Sequence, residues 1–285
     1  MRTRFLSKCT NDEVEAYLDR NDVVIVASGV TELHGGLPLD AESVLSGALA
    51  LRLAERVDGL VLHNLPYMYA GATASGRGTT QLSVRASIDY LYALAESLIR
   101  QGFKRIIWTS LHGPASVFIG PVIRDIFDTH KVSMLYIDPI QVLSNAEGGM
   151  MGAFAAMGGR DPFGDLTVAA YDILGRLSDV PLTTPETAYW STPQPSSVAF
   201  AQDLLDQAFG SSSTAYYFAE MTDHIYTQAL LTEQDVLAAA ERGHVGFESI
   251  VSRIPIEKLV EDLAELARYN TEVMRRYPST RSLGR

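Results

Sequence analysis

The chain has 285 residues, 47% of them apolar and 20% charged, the make-up of a folded protein with a sizeable core rather than a disordered one. Acidic residues (34) outnumber basic ones (23) for a net charge of −11, and no basic patch interrupts that field, so neither nucleic acid nor an anionic membrane is expected as a partner. The single cysteine, Cys9, excludes an intrachain disulfide and any multi-cysteine zinc site.

Residues 1–20 are charged throughout and lack the apolar stretch of a signal peptide. The most apolar long segment, 41–57, carries Glu42, Arg52, Glu55 and Arg56, so no membrane span is expected and the location reads as cytoplasmic. Residues 23–28 (VVIVAS) form a continuous apolar run, the signature of a strand buried on both faces. A helix over 41–57 and a short strand over 60–63 follow. Residues 83–101 place Ile88, Leu91, Leu94, Ala95 and Leu98 on one helical face, with Gly102 where a helix-terminating glycine is expected. A strand over 105–110 (RIIWTS), a helix over 114–130 and a strand over 132–138 (VSMLYID) complete a β-α-β-α-β order. That order predicts an α/β fold with a mostly parallel sheet and helices on both faces.

Beyond Asp138 the pattern loosens. Residues 148–164, rich in Gly, Met and Ala, read as a mobile loop or lid; such an apolar segment would be a poor exposed surface, which points to a homo-oligomer. Helices are expected over 165–176, 198–209, 233–242 and 255–276, with a turn-rich break at 192–197. No linker demands a second unit, so residues 1–285 read as one α/β domain with an extended C-terminal helical part.

In open parallel sheets, ligands bind beyond the carboxyl ends of the strands. The loop after 23–28 holds Glu32, His34, Asp40 and Glu42, and the loop after 105–110 opens with Leu111-His112-Gly113-Pro114. Glu32 and His34, two apart, project to one side of an extended segment. Carboxylates with imidazoles and no thiolates suit Zn²⁺, Mn²⁺ or Fe²⁺. These residues suffice for one ion with an open position or for two ions bridged by a carboxylate. Taken singly, His34 and His112 read as hydrogen-bonded loop residues; together, at the ends of adjacent strands, they read equally well as ligands. His63 ends a strand and is open to either role; His130, His224 and His244 read as surface or capping residues. No phosphate-binding loop and no G-x-S-x-G elbow is present, and Cys9 lies in a polar segment that offers no nucleophile site.

Glu32-Leu33-His34-Gly35-Gly36-Leu37-Pro38-Leu39 resembles the E-Q-H-G-P-H-L-P-L motif of creatininase-family amidohydrolases. The run 101–107 followed by His112-Gly113 resembles the family's G-F-x-x-I/V segment ending in N-G-H-G-G-N, and 69–80 resembles its Y-G…P-G-T loop. Residues 240–253 resemble a late family helix, so the likeness runs from about 8 to about 268. It implies a three-layer α/β/α sandwich, a divalent metal (Zn or Mn, with Fe an option, one or two per subunit), hydrolysis of a small and often cyclic amide, and a hexamer. Carried over by position, Glu32, His34, Glu42 and His112 are ligands, and Asp165 is a fifth through the family's E-x-E-T-S helix start. The chain departs from the pattern at Gly36-Leu37, where a histidine is missing, at Leu111 in place of asparagine, and at Pro114-Ala115 in place of Gly-Asn.

The leading expectation is a metal-dependent amidohydrolase in which Glu32, Asp40, Glu42 and His112 carry the chemistry. In it, Asp40 or Glu42 passes a proton to the leaving nitrogen. Tyr69, Ser75 and Arg77, with Tyr67 nearby, would shape the substrate pocket. Two alternatives stay open at this level: lyase, isomerase or ring-opening chemistry on another small carbonyl compound, and a non-catalytic binding or scaffold protein on the same frame.

Overall fold

A computed structural model describes residues 1–71, 77–159, 161–183 and 230–276. Four parallel strands form the sheet: β1 (Val23–Ser28), β2 (Leu60–Leu65), β3 (Arg105–Thr109) and β4 (Met134–Ile137), in the spatial order β2-β1-β3-β4. Among the described residues, the helices are α1 (Asn11–Leu18), α2 (Ala41–Arg56), α3 (Val84–Gln101), α4 (Ser116–His130), α5 (Pro139–Ser144), α6 (Gly149–Phe154), α7 (Pro162–Ile173), α8 (Glu233–Arg253) and α9 (Ile256–Arg276).

The strands read as continuous apolar runs because the pleat sends alternate residues into two separate cores. Val23, Ile25, Ala27 and Ile107 pack with α2, α7, α8 and the start of α9 on one face. Val24, Val26, Ile106 and Trp108 pack with α1, α3 and α4 on the other. This is the expected α/β/α sandwich. No helix among the described residues is long and apolar enough to cross a membrane.

Local chemistry fixes the element ends. Gly102 closes α3 at φ 105°, a left-handed conformation that a side chain would strain. Helix α1, which the sequence reading passes over, starts with a capping box between Thr10 and Glu13. Strand β2 runs two residues beyond the expected 60–63, because Leu65 pairs with Ser28 after a register shift. The expected helix over 114–130 begins instead with a 3-10 turn at Gly113–Ala115 and becomes α-helical at Ser116. The helix expected from 165 begins at Pro162, behind an Asp161 side chain that accepts from the Gly164 amide at 2.9 Å. Helix α8 extends past 242 to Arg253.

The expectation of a lid over 148–164 is corrected. The segment contains α6, a 3-10 turn (Ala155–Met157) and the start of α7, and it buries Ala153, Phe154 and Met157 in the α2–α7–α8 core. The burial of Ala153, Phe154 and Met157 removes the argument for an oligomer from this segment. The expected break at 192–197 and helix at 198–209 lie outside the described residues, as do His224 and Ser75.

The strand order sets the position of the site. From β1 the chain crosses to β2 on one side, then returns past β1 to β3 on the other. The crevice between the carboxyl ends of β1 and β3 is thus a topological switch point, where helices diverge and leave room for a ligand.

Candidate metal centre

Three chain segments converge on this crevice. The loop leaving β1 is fastened at several points. The Gly29 amide donates to the Leu65 carbonyl at 3.1 Å, and the Glu32 amide donates to the Leu39 carbonyl at 2.9 Å. The Leu33 amide reaches Thr79 Oγ1 at 3.1 Å, and the Thr80 amide reaches the Thr31 carbonyl at 2.8 Å. The tight turn from His34 to Leu37 needs Gly35 at φ 56°. Glu42 lies in the first turn of α2, where the helix dipole favours a carboxylate. His112 leaves β3 on a backbone held by serines: Ser110 Oγ donates to the Ser28 carbonyl at 2.8 Å, and the Leu111 amide donates to Ser46 Oγ of α2 at 2.9 Å.

The result is a buried cluster of two carboxylates and two imidazoles. Glu32, His34, Glu42 and His112 are 1%, 0%, 7% and 2% exposed. Ligand atoms of Glu32, His34 and Glu42 lie within 4.8 Å of one another. Glu32 Oε1 is 3.5 Å from His34 Nε2 and 3.2 Å from His112 Nδ1. Glu42 turns Oε1 to His34 Nε2 at 3.7 Å and Oε2 onto His112 Nδ1.

His112 is oriented through its other nitrogen. Nε2 lies 2.7 Å from the Tyr69 carbonyl, so in the neutral ring Nε2 carries the proton and the Nδ1 lone pair faces the carboxylates. Burial disfavours an imidazolium at His112, but Glu42 and Glu32 outweigh it and raise the ring to about 10. Burial also pushes Glu32 up, and hydrogen bonds from His112 and His34 overcome it, holding the carboxyl at about 2. At Glu42 burial prevails and raises the carboxyl to about 7. The donor set fits a divalent ion: hard oxygens and borderline nitrogens, water-excluded, with His112 oriented so that Nδ1 faces both carboxylates.

The other expected residues go elsewhere. Asp165, expected as a ligand, is fully buried, and both of its oxygens accept from Arg242 of α8 at 2.8 Å. An ion pair of that geometry leaves the carboxylate committed to the guanidinium. Asp40, expected as a proton carrier, accepts from the Tyr171 hydroxyl and pairs with Arg176 at 2.8 Å, which ties the start of α2 to the end of α7. Tyr69 contributes its carbonyl to His112, and Arg77 and Tyr67 are exposed. His63 stacks on Phe5 at 4.2 Å. His130 and His244 pair at the surface with Glu96 and Asp172. The sequence reading missed Ser46, Ser110 and the Tyr69 carbonyl as supports of His112. Backbone carbonyls and lone serines carry no spacing signal.

The family model described as "Creatininase: Creatinine amidohydrolase" matches residues 7–166. A "Creatinine amidohydrolase" of Pseudomonas putida is 30% identical over 122 residues, covering 40% of this chain and 47% of that protein, so the match spans about half the relative's length. The crystal structure of creatinine amidohydrolase (creatininase) superposes with a TM-score of 0.61 at 20% identity, covering 92% of this chain and 99% of the other. A creatininase variant of Zn-Zn type has a TM-score of 0.55 at 18% identity, covering 88% and 97%. The family match spans more than half of the chain and includes Glu32, His34, Glu42 and His112. The chain belongs to the creatininase family.

Proposed function

We propose that this protein is a metal-dependent hydrolase of a small amide, with cyclic amides (lactams) as the substrate class. The observation that carries the reading is the buried meeting of Glu32, His34, Glu42 and His112 at the switch point between β1 and β3. Solved relatives described as manganese and Zn-Zn forms of creatininase support Mn²⁺ or Zn²⁺ as the ion. Such an ion, when bound, lowers the pKa of water towards about 7 and polarises a carbonyl.

This chain's own residues then have separable tasks. Glu32 and His34 arrive on a loop pinned by Leu39, Thr79 and Thr31, which fixes two of the side chains that would hold an ion. The Tyr69 carbonyl holds the His112 ring so that Nδ1 serves as a donor. Glu42, buried beside His112, supports a proton-transfer role better than Asp40, which Tyr171 and Arg176 occupy. Glu42 would accept the proton released from water and pass it to the departing nitrogen. The same reading includes a cytoplasmic homo-oligomer.

The test is turnover of a panel of lactams, creatinine included, beside non-amide carbonyl compounds, with added Mn²⁺ or Zn²⁺. Ring opening of a lactam with release of carboxylate is expected. It should fall by roughly two orders of magnitude or more in Glu32→Gln. Turnover confined to non-amide substrates would overturn the reading in favour of lyase or isomerase chemistry. Metal binding without any turnover would overturn it in favour of a binding protein.

A further inference from the structure

We infer that this chain holds a single ion tightly and that its described residues do not complete a second site; the inference rests on the metal reading above. A catalytic zinc-type site takes three protein donors and keeps one position open. Glu32, Glu42 and His112 already make one such set, since Glu32 Oε1 and Glu42 Oε2 both meet His112 Nδ1. Among the described residues, that leaves a second ion His34, Glu42 Oε1 and any share of Glu32 as further donors. Sharing Glu32 does not mend the shortage. The same Oε1 faces both imidazoles, at 3.2 and 3.5 Å, so Glu32 does not offer one oxygen to each of two ions.

Among the described residues, the neighbouring acids are committed elsewhere. Asp165 is held on both oxygens by Arg242, and Asp40 is held by Tyr171 and Arg176. Asp138, at the end of β4, accepts from the Ile140 and Gln141 amides to cap α5, and Asp161 caps α7. The turn after His112 is Gly113-Pro114-Ala115, which brings no donor side chain. Charge points the same way. Two buried carboxylates neutralise one divalent ion, whereas a second would leave about two uncompensated positive charges out of water.

The experiment loads the full chain with Mn²⁺ or Zn²⁺, desalts it at micromolar free metal, and counts ions by native mass spectrometry and elemental analysis. For Mn²⁺, electron paramagnetic resonance then separates an isolated ion from a coupled pair. One equivalent is expected, with an uncoupled Mn²⁺ spectrum, and circular dichroism should show that Glu32→Gln and His112→Ala stay folded yet lose the ion. Two equivalents, or a coupled spectrum, would overturn the single-site inference while leaving the metal reading intact. No bound ion in the wild type, or one equivalent that survives both substitutions together, would overturn both. The wild-type count stands alone if either variant fails to fold.

Discussion

Replacing Arg242 by methionine tests what Asp165 does. The Asp165 side chain is 1% exposed and the Arg242 side chain 32% exposed, and two parallel hydrogen bonds of 2.8 Å join them. The pair sits where α7 crosses α8 so closely that a Cβ on Gly243 would lie 2.0 Å from the Asp165 carbonyl oxygen. Removing the guanidinium leaves a carboxylate buried without its counter-charge, which costs about 3–5 kcal/mol. Removing both charges (Asp165→Leu with Arg242→Met) should recover most of that loss, because the desolvation cost disappears with the attraction. Urea denaturation of wild type, both single variants and the double variant gives the coupling energy. Elemental analysis of Asp165→Asn reports whether bound metal changes. The expected result is a coupling of roughly 2 kcal/mol or more with metal content unchanged. Loss of the ion in Asp165→Asn at unaltered stability would refute the argument and return Asp165 to the ligand set.

Gly29→Ala tests how β1 sets the position of Glu42. The added Cβ would lie 2.5 Å from the Ser43 amide nitrogen and 2.6 Å from Ser43 Cα, backbone atoms that yield only if the start of α2 moves. A loss of about 1–3 kcal/mol is expected in urea, with Mn²⁺ affinity reduced at least ~10-fold by titration. His63→Phe tests a pH effect. Burial, with Lys8 adding to it, lowers the His63 ring to about 4 from 6.5, so the unfolded chain takes up the proton first. Stability from this group is therefore lost as pH falls from 6.5 to 4, and is flat above and below that window. The variant should keep the stacking on Phe5 and lose roughly 2 kcal/mol less across the window, once solvent screening of a partly buried ring is allowed for. Equal slopes for both proteins in urea titrations would count against a buried neutral ring.

The sheet and its flanking helices are legible in the sequence because their signals are local. Runs such as VVIVAS report burial on both faces without reference to any partner, and Gly102 marks the end of α3 through its own backbone preference. Glu32, His34 and His112 are legible for a related reason: in a parallel sheet, residues just beyond the carboxyl ends of neighbouring strands meet by topology alone. Glu42 needed the family motif to be singled out, since nothing in its helical spacing separates it from Asp40. Tertiary structure decided between them. Tyr171 and Arg176 draw Asp40 toward α7, while Glu42, two residues on, turns to His112. It also decided Asp165, whose partner lies 77 residues away on α8, a separation at which chain spacing carries no information. The supposed lid at 148–164 misled for a complementary reason. Gly, Met and Ala describe a segment that moves or one that packs tightly, and only the neighbouring Gly246, where an added Cβ would sit 2.7 Å from Met157 Sδ, selects the second. Composition and periodicity thus determined the layers and the edge where chemistry is placed. Which side chains at that edge face one another was decided by charge pairing and close packing between elements far apart in the chain.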